Sequence, residues 1–163
     1  MKSVAAIPYK IYNEAQLLIE VKRWRLKNKS IVFTNGVFDI LHEGHISSLS
    51  EAAAHGDILI VAVNSDLSVK KLKGPERPIN HQDARALILA SLVFCDAVIL
   101  FEEESPRDLI TKILPDVLVK GGDYTIEQIA GSKEVLANGG KVILANIKEG
   151  ISTTGIIEKM KTL

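Results

Sequence analysis

His42 and His45 stand three residues apart in the run Thr34-Asn35-Gly36-Val37-Phe38-Asp39-Ile40-Leu41-His42-Glu43-Gly44-His45. At that spacing, at a helix start, both rings project near the same helix end. Two chemistries suit such a pair. One is zinc ligation, which needs a third partner; the other is donation to an anion held at the helix N-terminus. Cys95 is the only cysteine and lies in an apolar setting, while His55 and His81 fall at a helix end and in a separate loop, where surface roles suffice. With no fitting third ligand, the anion is favoured. Further on come Lys70, Lys71, Lys73, Gly74 and Arg77, then Lys120-Gly121-Gly122-Asp123-Tyr124, then Gly150-Ile151-Ser152-Thr153-Thr154. Glycines let a ligand approach the backbone, and helix-terminal amides with neighbouring hydroxyls favour negative charge. Two helix N-termini with Lys73 and Arg77 together describe a polyphosphate site.

Each group also has a plainer account. Ser152, Thr153 and Thr154 can simply cap a helix, a short lysine run can be a solvated loop, and Gly121-Gly122 can be a turn. The chain lacks both G-x-x-x-x-G-K-[ST] and G-x-G-x-x-G. That disfavours an ordinary ATPase or a nicotinamide-dependent dehydrogenase.

The elements that must position these residues alternate. Apolar runs predict strands at Ile31–Thr34, Ile58–Val63, Ala97–Phe101, Val117–Lys120 and Val142–Ala145. Between and after them, helices are predicted from Gly44 to His55, from Gln82 to Phe94, from Ser105-Pro106 onward, from Ser132 to Ala137 and from Ser152 to Lys161. Ile58–Val63 shows no polar alternation, as expected of a parallel strand covered on both faces. The pattern predicts a single doubly wound, five-stranded parallel α/β sheet, the Rossmann-like class. An amphipathic helix from Asn13, its N-cap, to Lys27 precedes it, so residues 1–29 read as an N-terminal helical extension and 30–163 as the sheet domain. In such sheets ligands bind beyond the carboxyl ends of the strands. The polar runs above follow the first, second, fourth and fifth predicted strands, and Asn64-Ser65-Asp66 follows the second; the third is followed by Glu102-Glu103-Glu104, a solvated acidic edge.

Composition narrows the class. The 163 residues carry 20 basic and 20 acidic side chains and are 47% hydrophobic, which fits one folded domain and disfavours a dedicated nucleic-acid or membrane-surface binder. No apolar stretch approaches the ~18 residues of a membrane span, and no secretory leader is visible, so a cytoplasmic protein is expected.

The run ending His42-Glu43-Gly44-His45 resembles the H-x-G-H motif of cytidylyltransferase-like nucleotidyltransferases, and Ile151-Ser152-Thr153-Thr154 resembles that family's second motif. Val61-Ala62-Val63-Asn64-Ser65-Asp66, Lys73-Gly74-Pro75-Glu76-Arg77-Pro78 and Leu118-Val119-Lys120-Gly121-Gly122-Asp123-Tyr124 resemble one branch more closely, the heptose 1-phosphate adenylyltransferases, the transferase part of ADP-heptose synthases. The resemblance covers residues 30 to 160. It implies joining of ATP and D-glycero-β-D-manno-heptose 1-phosphate to give ADP-heptose and pyrophosphate, for lipopolysaccharide or other heptose glycans. Mg²⁺ would be bound through the ATP phosphates and by no protein ligand.

The resemblance also implies roles. His42 and His45 serve the triphosphate, with His45 nearest the α-phosphate, and Gly44 leaves room for the nucleotide. Thr34, Asn35, Gly36, Val37 and Phe38 belong to the nucleotide loop. Ser152, Thr153 and Thr154 hold the β and γ phosphates. Lys73 and Arg77 neutralise incoming phosphate or leaving pyrophosphate. Asp39 orients a histidine or a Mg²⁺-bound water, or caps the turn. Asn64, Asp66 and Asp123 are candidates for sugar or ribose hydroxyls, and backbone around Gly121, Gly122 and Asp123 for the base. Many relatives are fused to a sugar kinase; no kinase segment is seen here, so separate kinase and phosphatase proteins are expected upstream. CTP-using relatives carry an arginine before the second motif, where Ile147-Lys148-Glu149 stands. A glycerol-3-phosphate-type cytidylyltransferase and a non-catalytic nucleotide-binding module are the alternatives, and an exposed sheet edge permits a homodimer.

Overall fold

Successive side chains along a strand point to opposite faces, and in the two central strands both sets are apolar. From β2 (Ile31–Gly36) and β3 (Ile58–Asn64), Ile31, Phe33, Ile60 and Ala62 enter one core, while Val32, Leu59, Val61 and Val63 enter the other. Strands buried on both sides require helices on both sides, and parallel crossovers supply them.

The computed structural model describes residues 6–122, 124–146 and 150–162. The other elements are β1 (Ile11–Tyr12), α1 (Glu14–Leu26), α2 (Glu43–Ala53), α3 (Asp66–Lys73), α4 (Gln82–Ala90), β4 (Ala97–Phe101), α5 (Arg107–Ile113), β5 (Val117–Gly121), α6 (Ser132–Ala137), β6 (Lys141–Ala145) and α7 (Thr153–Lys161). All strands pair in parallel, in the order β1-β4-β3-β2-β5-β6. Helices α1, α5 and α6 cover one face; α2 and α4 cover the other. The order reverses between β2 and β5, and that switch point opens a crevice at the strands' carboxyl ends.

The sheet has six strands, one more than expected. Ile11 and Tyr12 pair with Val98 and Ile99, and a two-residue strand leaves no periodic trace in a sequence. The polar run 66–73 is a helix where a loop was expected. Ser65 caps it by accepting from the Ser68 amide, and Val69 is fully buried beneath it. Helix α4 stops at Ala90, four residues short of the expected Phe94, and Val93 beyond it is 89% exposed. Among the described residues, no helix is long and apolar enough to cross a membrane.

Aspartates just ahead of strands fix the register from the opposite end. Asp116 accepts from the Ile31 amide at 2.7 Å, Asp96 from the Leu59 amide at 2.8 Å, and Asp57 from the Ser30 amide at 2.9 Å. Asn13 caps α1 through a reciprocal box with Gln16. Leu17 and Val21 of that helix lie in the core beside Phe33, Ile110 and Ile113. Because Leu17 is fully buried, Leu17→Ala is expected to destabilise the whole protein by about 2–5 kcal/mol in urea denaturation. A loss below ~1 kcal/mol would show that α1 lies outside the cooperative core.

Candidate active site

The loop after β2 is held by one carboxylate. Asp39 is 1% exposed; it accepts from Arg77 Nε at 2.6 Å, from the Ile79 amide at 2.8 Å and from the Asn80 amide at 2.8 Å. Its own carbonyl accepts from Asn80 Nδ2 at 2.7 Å. Burial opposes the charge, but the Asn80, Ile79 and Arg77 donors outweigh it and hold the carboxyl below the usual range. Beside it Arg85, also 1% exposed, donates to the carbonyls of Asn80 and Val37 and to Asp66 Oδ1 at 3.0, 2.6 and 2.8 Å. The two residues bind the segment 77–80 to the loop after β2.

Above this network stand the histidines. His42 is the N-cap of α2, with no side-chain capping bond, and its ring stacks on His45 with centroids 3.8 Å apart and planes 19° apart. Phe38 meets His45 edge-on at 5.3 Å. Among the described residues, Nδ1 of each imidazole is buried and has no partner. Burial pushes the His45 pKa down to about 4, helped by any charge on His42; burial also lowers His42, against the pull of Glu43. The Ile40 backbone, hydrogen-bonded to His45, pulls the other way without offsetting burial, so the pair stands neutral near pH 7.

The crevice at the switch point is a cavity of about 500 Å³, a size that suits a small ligand. It is lined by His42, His45, Gly44, Thr34, Asn35, Gly36, Val37, Phe38, Asp39, Lys73, Arg77, Gly121, Ser152, Thr153 and Thr154, so most residues singled out in the sequence converge. Helix α7 starts with Ser152 accepting from the Gly155 amide at 3.1 Å, and Thr153 Oγ1 donates to the Ile40 carbonyl at 3.5 Å. That bond docks the second motif against the first.

Several expectations change. Asn64 and Asp66 do not line the cavity: Asn64 Nδ2 donates to Ser68 Oγ at 3.0 Å, and the Asp66 carboxylate accepts from Arg85 at 2.8 Å, which secures α3 to α4. The Asp66 backbone amide itself donates to Gln82 Oε1 at 2.9 Å. The carboxylate of Asp39 is spent on segment 77–80, so it orients neither histidine. The space beside Gly44 belongs to the His42 ring, since an added Cβ would lie 3.1 Å from His42 Nδ1. Gly122 lies outside the lining; its φ of +128° brings the Tyr124 ring within 2.7 Å of where a Cβ would stand. Lys70 and Lys71 are exposed and outside it too. Asp123 and Lys148 lie outside the described residues.

The lining also holds Ser48, Val119, Lys120, Tyr124, Asn146 and Ile151, which the sequence reading assigned no role. Lys120 stands in the carboxyl end of an apolar strand, where its position alone does not separate it from a solvated lysine. Among the described residues no cluster of His, Cys, Asp or Glu could hold a metal, and Asp39 is the sole carboxylate of the lining. The donor set suits phosphate oxygens.

A parallel sheet with paired histidines at a helix start, cations and a second capped helix across one crevice defines a nucleotidyltransferase of the Rossmann-like class. The cytidylyltransferase-like family matches residues 33–159, and the chain belongs to that family. It is 53% identical over 151 residues, 93% of its length, to the bifunctional protein HldE of Shigella sonnei, and 52% identical over 158 residues to that of Salmonella arizonae. The chain spans about a third of the length of these relatives, 32% and 33%. Among solved structures, the lipopolysaccharide core biosynthesis protein of Thermoplasma volcanium is 29% identical, with a TM-score of 0.59 over 74% of this chain and 97% of that one. A pantoate-beta-alanine ligase of Francisella tularensis, 16% identical, shares the fold, with a TM-score of 0.58 over 93% of this chain and 76% of that one.

The depressed histidine gives a pH signature. Between about 4 and 6.5 the unfolded chain binds a proton at His45 that the folded chain refuses, so stability falls as pH drops through that window. His42, also depressed, adds to the fall below its ordinary value of 6.5, whereas the lowered carboxyls of Asp39, Asp57, Asp66, Glu127 and Glu134 lose their contribution below about their ordinary values of 3.8 and 4.5. The fall in thermal midpoint from pH 7 to pH 5 is expected to be smaller in His45→Asn than in wild type. Equal falls would show that His45 is not depressed.

Proposed function

We propose that the chain is an adenylyltransferase that joins ATP and D-glycero-β-D-manno-heptose 1-phosphate to give ADP-heptose and pyrophosphate. The observation that carries the reading is the stacked, neutral His42–His45 pair, with unpartnered Nδ1 atoms, in a cavity whose charged lining is Lys73, Arg77, Lys120 and a single, already neutralised carboxylate. The sugar substrate rests on the run of branch-specific segments from Val61 to Tyr124. It is supported by the identity to HldE and by the likeness to a lipopolysaccharide core biosynthesis protein.

In this reading a phosphate oxygen of the sugar phosphate attacks the α-phosphorus of ATP. The new P–O bond forms as the bond from the α-phosphorus to the α–β bridging oxygen breaks, and pyrophosphate leaves with that electron pair. A phosphate monoester has its second pKa near ~6, so the nucleophile is already mostly dianionic and needs no general base. The barrier is electrostatic, and the protein's work is positioning and charge neutralisation. His45 donates at the α-phosphate and His42 beside it. The amides and hydroxyls of Ser152, Thr153 and Thr154 hold the β and γ phosphates. Lys73 and Arg77 neutralise the acceptor phosphate and the leaving group. Mg²⁺ would be carried by the ATP phosphates and would supply further charge neutralisation there.

The test is pyrophosphate release from Mg·ATP with and without the heptose phosphate, with CTP run in parallel. Release is expected only when ATP and the heptose phosphate are both present. Release with CTP and glycerol 3-phosphate would instead support the cytidylyltransferase reading. Nucleotide binding without any release would leave a binding module. His45→Ala is expected to lower turnover by about 10²-fold or more, the usual cost of losing a transition-state donor. Near-normal turnover in that variant would remove His45 from the chemistry.

A further inference from the structure

The three cations of the cavity are not equivalent. Lys73 sits at the exposed end of α3, and Arg77 is neutralised by Asp39. Lys120 is different. It ends the apolar run of β5 at the switch point, next to Asn35, because Thr34 and Val119 are register partners. Its side chain is partly buried, and its ammonium donates to the Asn35 carbonyl at 3.2 Å and to Asn35 Oδ1 at 3.4 Å. Both acceptors are neutral. The Tyr124 ring lies 5.8 Å away, and among the described residues no carboxylate pairs with Lys120. Burial pushes its pKa down.

An ammonium carries three N–H donors, and two are committed here, so one is left for whatever enters the cavity that Lys120 lines. Removing a charge from water without an opposite charge is costly, and the cost falls when a ligand brings the counter-charge. A lysine kept only to tie down the end of β2 would do so more cheaply as a neutral donor. We propose that Lys120 is an anion subsite of the cavity: its ammonium binds a phosphate group of a substrate, and that phosphate is the counter-charge the described protein omits. The inference rests on reading the cavity as a site for phosphate-bearing substrates. It deepens that reading by giving a role to a cation that the H-x-G-H and second-motif residues leave unassigned. The phosphate can belong to the nucleotide or to the sugar phosphate, and binding measurements separate the two.

The experiment compares wild type, Lys120→Met, which keeps the stem and drops the charge, and Lys120→Arg. Thermal midpoints are measured without ligand, and dissociation constants for Mg·ATP, inorganic pyrophosphate, D-glycero-β-D-manno-heptose 1-phosphate and adenosine. The expected result is a Lys120→Met midpoint equal to or above wild type without ligand. With it should come a loss of about tenfold or more in affinity for at least one phosphate ligand. Adenosine binding should be unchanged, and Lys120→Arg should recover part of the loss. Weakening of ATP alone assigns the subsite to the nucleotide; weakening of the heptose phosphate alone assigns it to the acceptor. A lowered unliganded midpoint with equal losses for adenosine and phosphates makes Lys120 structural and overturns the proposal. So does unchanged phosphate affinity in Lys120→Met, or the failure of wild type to bind any phosphate ligand. Phosphate binding that weakens in Lys120→Met while no pyrophosphate is ever released would uphold the subsite and overturn the transfer reading alone.

Discussion

Asp39 carries a negative charge into a place closed to water, and the crevice depends on how that charge is satisfied. A buried carboxylate must be met by donors or it protonates. The donors here come from Arg77, Ile79 and Asn80, about forty residues on in the chain. The segment that follows α3 is thereby fixed against the loop that follows β2. Arg85 closes the arrangement from below, joining Asn80, Val37 and Asp66 with three bonds from one guanidinium. A planar fork of donors can do this where a lysine could not. Neither residue has to touch a ligand to matter: together they set where Lys73, Arg77 and the α2 N-terminus stand relative to one another.

On that base, the histidines are placed by packing. Gly36 makes room for the Phe38 ring, whose atoms would lie 3.0 Å from a Cβ there, and Phe38 in turn supports His45 edge-on. Gly44 gives the same room to His42, which then stacks on His45. Phe38 adopts a left-handed backbone conformation, φ 49°, an arrangement disfavoured for a bulky residue and kept only where its surroundings enforce it. The spacing of the motif is thus a packing requirement as much as a chemical one. Two glycines bracket a row of three rings, and among the described residues the Nδ1 of each imidazole is left without a protein partner.

The fold class was legible because buried parallel strands read as unbroken apolar runs, and the switch-point rule then pointed to the polar residues after each run. What it could not resolve was which polar residue serves a ligand and which serves the scaffold. Asn64 ends β3 and Asp66 lies just beyond it, much as Asn35 stands near the end of β2, yet their side chains are spent on Ser68 and Arg85. Only the position of Arg85, buried in α4 and remote in sequence, decides the case of Asp66. Ile11 and Tyr12 were hidden because two residues carry no period, and α3 because its lysine-rich exposed face outweighed the single buried Val69. Lys120 went unassigned for the opposite reason: a lone lysine at a strand end looks like any solvated lysine until its depth in the crevice is known.

Net charge also misleads when taken over the whole chain. Twenty basic and twenty acidic residues cancel, and that balance argues against a polyanion surface. The cavity lining nevertheless holds three cations against one carboxylate, and that carboxylate is already matched by Arg77. Elsewhere several acids serve strand starts, as Asp57, Asp96 and Asp116 do, or pair with surface cations, as Glu14 and Glu134 do. Segregation of this kind would suit the proposed reaction between two anions. Surface charge need not draw in a long polymer, whereas a pocket partly shut off from water makes each local cation count for more than it would in bulk water. The neutral histidine pair fits the same logic. A permanently charged pair would repel itself at 3.8 Å between ring centroids. Neutral imidazoles can stack, offer hydrogen bonds to an arriving phosphate, and gain a proton where that phosphate's charge makes the imidazolium favourable.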